Sequence, residues 1–134
     1  MSCAPAASAA SRALPWLVLL YAAASLVHFA HNAEYLHAYP NLPPWSRGEV
    51  YAAWCAVSAA GLCGFLAYRA GRPLGLPLLG LYAVLGFAGL LHYTRAPFSH
   101  HTAGMNLTIC TEVAAAALLL ADVLVLAVRA RAGA

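Results

Sequence analysis

Six histidines, four acids and seven arginines carry most of the chemistry available to this chain of 134 residues. The densest polar stretch is His28-Phe-Ala-His31-Asn32-Ala-Glu34-Tyr35. On a helix, His28, His31 and Tyr35 share one face at i, i+3 and i+7, with Asn32 flanking it one turn after His28. Glu34 follows His31 by one turn, a spacing at which a carboxylate can orient an imidazole. A second set, His101, Met105, Thr108 and Glu112, follows i, i+4, i+7 and i+11 and forms a single stripe. At 1.5 Å per residue Glu112 lies about 10 Å beyond Met105. An ionisable residue so deep in an apolar helix faces the interior and marks a functional site.

Counting inward from the helix ends places His28 and Glu112 in comparable layers, with His31 and His92 nearer the surface. Imidazole together with carboxylate suits zinc, iron, copper or nickel, and histidines on two helices also ligate haem. The predicted ligands of a transition metal or haem are therefore His28, His31, His92 and Glu112, then His101. Asn32, Glu34, Tyr35 and Thr108 are the expected supporting neighbours, and Glu112 the expected proton carrier. Redox, hydrolytic and metal-handling chemistry all fit such a site. Three other readings stay open. Glu112 could alternate between proton and cation in a small transporter that oligomerises to build its pathway. The chain could be an accessory subunit of a larger membrane complex. The histidines could only hydrogen-bond to backbone or water.

The elements that must position these residues are set by composition. Hydrophobic residues make up 63% of the chain and charged ones 8%, with a mean hydropathy of +0.75. A soluble domain carries about 25% charged residues, and disordered chains are richer still in charge. The net charge of +3 comes from scattered arginines with no lysine, which gives no track for a phosphate backbone and excludes a nucleic-acid partner. What remains is a membrane protein. A helix needs about 20 apolar residues to cross the hydrocarbon core. Four such stretches occur, at about 14–36, 50–68, 74–93 and 105–128. The expectation is all-α: one transmembrane domain over 1–134, an up-down-up-down four-helix bundle with a short tail at 1–12. Pro40, Pro43 and Pro44 separate the first two spans, Gly71 and Pro73 the next two, and Pro97 the last two. The stripe Ala52, Ala56, Ala60 and Gly64, the pair Gly86 and Gly89, and the run from Ala114 to Ala117 are expected helix contacts.

Sidedness follows from arginine. Arg12, Arg69, Arg72, Arg129 and Arg131 fall on one side of such a bundle, Arg47 and Arg95 on the other. Positive short loops stay cytoplasmic, so both termini are expected inside and all six histidines at the extracytoplasmic face. An Ala- and Arg-rich chain without lysine fits a bacterial inner membrane. Arg12, the apolar run from Leu14 and Ala22-Ala23-Ala24 also fit a cleaved signal peptide, but the apolar run continues through Phe29. Cys3, Cys55, Cys63 and Cys110 make no Cys-x-x-Cys and are read as small hydrophobes. Asp122 is a second buried acid, off the Glu112 stripe.

Two local resemblances touch the same residues. His28-x-x-His31 with His100-His101 faintly resembles the histidine boxes of membrane fatty-acid hydroxylases and desaturases, which use more histidines in tighter boxes, usually on the cytoplasmic face. Asn32-Ala-Glu34-Tyr35 with Pro40 loosely resembles the signature of the membrane-associated glutathione-metabolism superfamily. Its spacing is one residue short and the accompanying arginine is missing. Each covers about ten residues, and neither assigns a family.

Overall fold

A computed structural model describes residues 12–133. Cys3 and the expected tail, Arg12 apart, lie outside the described residues. All regular structure among the described residues is helical. Four helical runs are long and apolar enough to cross a membrane: Leu14–Glu34, Arg47–Arg69, Gly75–Arg95 and Ala103–Ala132.

Helix α1, Leu14–Glu34, opens with Pro15 in its first turn, where a missing N–H costs nothing. It stops at Glu34, two residues short of the expected end. Tyr35 caps it, and Leu36–Ala38 form one 3-10 turn. Helix α2, Arg47–Arg69, starts three residues earlier than expected, because Ser46 and Glu49 form a capping box. The Glu49 N–H donates to Ser46 Oγ at 3.3 Å, and the Ser46 N–H donates to Glu49 Oε2 at 2.7 Å. The third run is not one helix. Helix α3, Gly75–Leu85, tightens into a 3-10 stretch over Gly86–Leu91 and then resumes as the single turn α4, His92–Arg95. Helix α5, Ala103–Ala132, begins at Thr102, whose hydroxyl accepts from the Met105 N–H at 3.3 Å.

Helix α1 packs between α2 and α5, and α3 closes the other side against the same two helices. Tyr21, Leu79, Tyr82, Ala116 and Leu119 are buried at the centre. Backbones approach closely where side chains vanish. A Cβ on Gly86 would lie 2.6 Å from both Ala116 Cβ and Tyr21 Oη, and one on Gly61 would lie 2.6 Å from the Tyr82 ring. The expected contact stripe on α2 is thereby corrected. Ala52 and Ala56 are exposed, and the contact runs through Gly61 and Gly64. Steps of four residues overshoot a 3.6-residue turn, so such a stripe drifts off one face. Cys55, Cys63 and Cys110 are free and exposed.

The loops at the histidine end are tied together. Asn41, in the left-handed region at φ 54°, donates its side-chain N–H to the Arg95 carbonyl at 2.9 Å. That bond links the first connection to the end of the third run.

Candidate functional site

His28 lies on the face of α1 turned towards α5, and Glu112 on the face of α5 turned back; each is only 2% exposed. His28 Nε2 and Glu112 Oε2 are 3.6 Å apart. The layer count from the sequence had placed them level. Gly89, in the 3-10 stretch, leaves the space beside them: a Cβ there would lie 3.4 Å from Glu112 Oε2 and 3.7 Å from His28 Nε2. Ser25, fully buried one turn before His28, also reaches the Glu112 carboxylate.

The hydrogen bonds assign the protons on His28. Thr108 spends its O–H on the Met105 carbonyl at 3.0 Å. Its oxygen is left to accept, so His28 Nδ1–H donates to Thr108 Oγ1 at 3.3 Å. Nε2 then carries the lone pair, and it accepts from the Asn32 side-chain N–H at 3.1 Å. The same Asn32 nitrogen donates to His92 Nε2 at 3.4 Å, and the His28 and His92 rings meet edge to face at 5.5 Å. With both N–H groups turned to imidazoles, Asn32 Oδ1 is buried and has no hydrogen-bond partner among the described residues.

Two cavities meet at Asn32. The inner one, about 110 Å³, is lined by His28, Asn32, Gly89, His92 and Glu112. The outer one, about 180 Å³, shares Phe29, Asn32, Ala88 and His92 with it and extends to Trp45, Val50 and Arg95. Together their walls take in exposed Arg95 and buried Glu112.

The other predicted ligands turn elsewhere. His31 Nδ1 pairs with the Tyr39 hydroxyl at 2.8 Å, and the Tyr39 ring lies 5.0 Å from that of His92. Burial pushes the Tyr39 phenol up to about 12, so it stays protonated. His101 is buried, but its Nδ1–H donates to the Pro97 carbonyl at 3.1 Å. Among the described residues no three His, Cys, Asp or Glu side chains are set to hold one metal ion. Of the five expected ligands, His28 and Glu112 form one close pair, and His92 lines the same cavity. The expected helpers divide as well. Asn32 and Thr108 do hold His28, but Glu34 does not orient His31. It instead accepts from Arg47 at 2.8 Å and from Tyr51 at 2.9 Å. Tyr35 is exposed and stacks on His31 at 4.7 Å. His37 and His100 are exposed, away from the cluster.

Reasoning from sequence missed Tyr39 and Ser25 at this site and read Gly89 only as a helix contact. Tyr39 reads as an interfacial aromatic, and only the fold-back before Pro40 brings it over His31. Asp122 lies about three turns further along α5, half-buried, with Ala115, Ala116 and Leu119 buried between it and Glu112.

Fold and site together define an apolar chain of four long helical runs that holds a buried imidazole–carboxylate pair at the end of a cavity. The chain matches no known protein family, no curated protein and no solved structure.

Proposed function

We propose that this chain is an integral protein of a bacterial inner membrane, an up-down-up-down bundle with both termini cytoplasmic and the histidine end outside. The large apolar side chains turned outward, among them Leu19, Leu62, Leu107, Leu124 and Val128, support a lipid surround. The arginine bias supports the orientation.

Within that bundle the protein works as a small proton-coupled carrier, in which the His28–Glu112 pair exchanges a proton for a cation. The observation that carries this reading is the meeting of His28 Nε2 and Glu112 Oε2 at 3.6 Å in a buried place. Both atoms are acceptors when deprotonated. Asn32 already occupies the single Nε2 lone pair, so at this face the ring cannot donate to Glu112, and in a medium of low dielectric the buried carboxylate is favoured carrying a proton or bound to another cation. Asn32 and Thr108 fix the imidazole for that exchange, and the two cavities that share Asn32 and His92 in their walls supply its route towards the outer end. The rest of a transmembrane pathway comes from a second copy of the chain or from a larger membrane complex. A transition metal or haem, expected from the residue types, is the second reading; among the described residues no three His, Cys, Asp or Glu side chains group around one metal ion, which favours the proton reading over a metal centre.

The test is a pH-difference infrared spectrum of the protein in lipid. A protonated-carboxyl band should titrate, vanish in Glu112→Gln and persist in Asp122→Asn. A band that survives Glu112→Gln overturns the reading.

A further inference from the structure

The inner and outer cavities differ in the chemistry of their walls. Around the outer 180 Å³ stand Phe29, Leu36, Leu42, Trp45 and Val50. This volume suits an apolar ring, since an apolar cavity of about 150 Å³ holds benzene. The inner 110 Å³ ends on the buried Glu112 carboxylate, with Asn32, whose Oδ1 has no partner among the described residues, and His92 beside it; the His28 Nε2 lone pair is taken by the Asn32 N–H. The Asn32 donors are already spent on His28 and His92. An occupant must therefore bring donors at one end and an apolar body at the other. A carboxylate or phosphate would face Glu112 with like charge, and a bare inorganic cation would leave the apolar walls unfilled.

We propose that the two cavities form one binding site for a small primary ammonium ion with an aromatic or branched alkyl body. Its N–H donors point at Glu112 and Asn32 Oδ1, and its body lies against Phe29 and Trp45. Aromatic faces also attract the adjoining positive charge. The other charged or titratable groups lining the path are His92 and Arg95. Arg95 is exposed at the rim, with its guanidinium donating to the Asn41 carbonyl at 3.5 Å. Solvent screens its charge, while Glu112 acts at the dry end. Gly89 keeps the inner part open, because an alanine methyl there would project into it. The inference rests on the proton-exchange reading for its cation class, and it supplies the substrate that the reading lacks.

Calorimetric titration of the full chain in lipid nanodiscs, corrected with empty nanodiscs, tests this. The probes are benzylammonium, benzyl alcohol and phenylacetate. Benzylammonium should bind saturably, and the alcohol and the acid should not. Glu112→Gln should weaken benzylammonium about tenfold or more, the loss expected for a charged hydrogen bond. Gly89→Ala, whose new Cβ meets its neighbours at ordinary contact distances of 3.4–3.7 Å, should fold and lose binding through occlusion. No saturable benzylammonium binding, or equal binding of benzyl alcohol, overturns the site. Full binding in Gly89→Ala overturns its placement. A pH dye in the same titration separates the two readings. Binding without proton release upholds the site and removes the exchange. A titrating Glu112 band with no benzylammonium binding upholds the exchange and removes the site.

Discussion

Replacing Asn32 with leucine tests the hydrogen-bond logic of the site while keeping the number and branching of the side-chain heavy atoms. Asn32 donates to His28 Nε2 at 3.1 Å and to His92 Nε2 at 3.4 Å. Its removal orphans the first acceptor in a place water scarcely reaches, since His28 is 2% exposed. A buried polar group left unpaired costs about 1–3 kcal/mol. The bond to His92 is long, and His92 is half-buried beside both cavities. Water can replace that donor, so its loss adds at most about 0.5 kcal/mol. Hydrogen bonds between membrane helices average about 0.6 kcal/mol because the unfolded state in lipid also finds partners. The expected destabilisation is therefore about 0.5–3 kcal/mol, read from reversible denaturation in mixed micelles. Nitrogen NMR of labelled imidazole supplies the second readout. In the wild type, neutral His28 carries its proton on Nδ1, and in Asn32→Leu the tautomers should mix. A stability within about 0.3 kcal/mol of wild type, well below the cost of an orphaned buried acceptor, refutes the reasoning. So does a wild-type His28 protonated on Nε2 alone.

Gly86→Ala should destabilise by about 1–3 kcal/mol through overpacking, because its Cβ would meet Ala116 Cβ and Tyr21 Oη at 2.6 Å. Gly80→Ala, whose nearest contact is Val123 Cγ1 at 3.8 Å, should leave stability unchanged or raise it by about 0.5–1 kcal/mol. Equal melting temperatures for the two variants would contradict the packing. For Tyr39, burial raises the phenol from its ordinary 10.0 to about 12. Its contribution to stability is whole below pH 10 and is lost as pH rises towards 12. Melting temperature should fall more steeply across that window in wild type than in Tyr39→Phe, and parallel curves would count against it.

The four long runs were legible because each is a continuous apolar segment bounded by Pro, Gly or Arg, and lipid-length hydropathy needs no knowledge of partners. The pairing of His28 with Glu112 was legible for a similar reason, since depth along a helix follows from residue count. Orientation around the helix, and the loops, were not. His31 shares a helix face with His28 in projection, yet it pairs with Tyr39, whose position depends on the turn after Glu34. Glu34 joins Arg47 because α2 begins at its capping box rather than at the first apolar residue. The Ser46-x-x-Glu49 signature was present in the chain, but a reading led by hydropathy began at Val50. The 3-10 winding of Gly86–Leu91 had no signal apart from its two glycines.

That winding also sets where His92 points. A 3-10 segment turns about 120° per residue and rises about 2.0 Å, against about 100° and 1.5 Å in an α-helix. Over the six residues Gly86–Leu91 the difference accumulates to about 120° of rotation and 3 Å of length. Wound as an ordinary α-helix, the same sequence would carry His92 a third of a turn away from Asn32 and nearer to Glu112 in height. The azimuth of one imidazole is thus encoded in the pitch of the backbone beneath it, so changing that pitch would re-aim His92 with no side chain of the site altered.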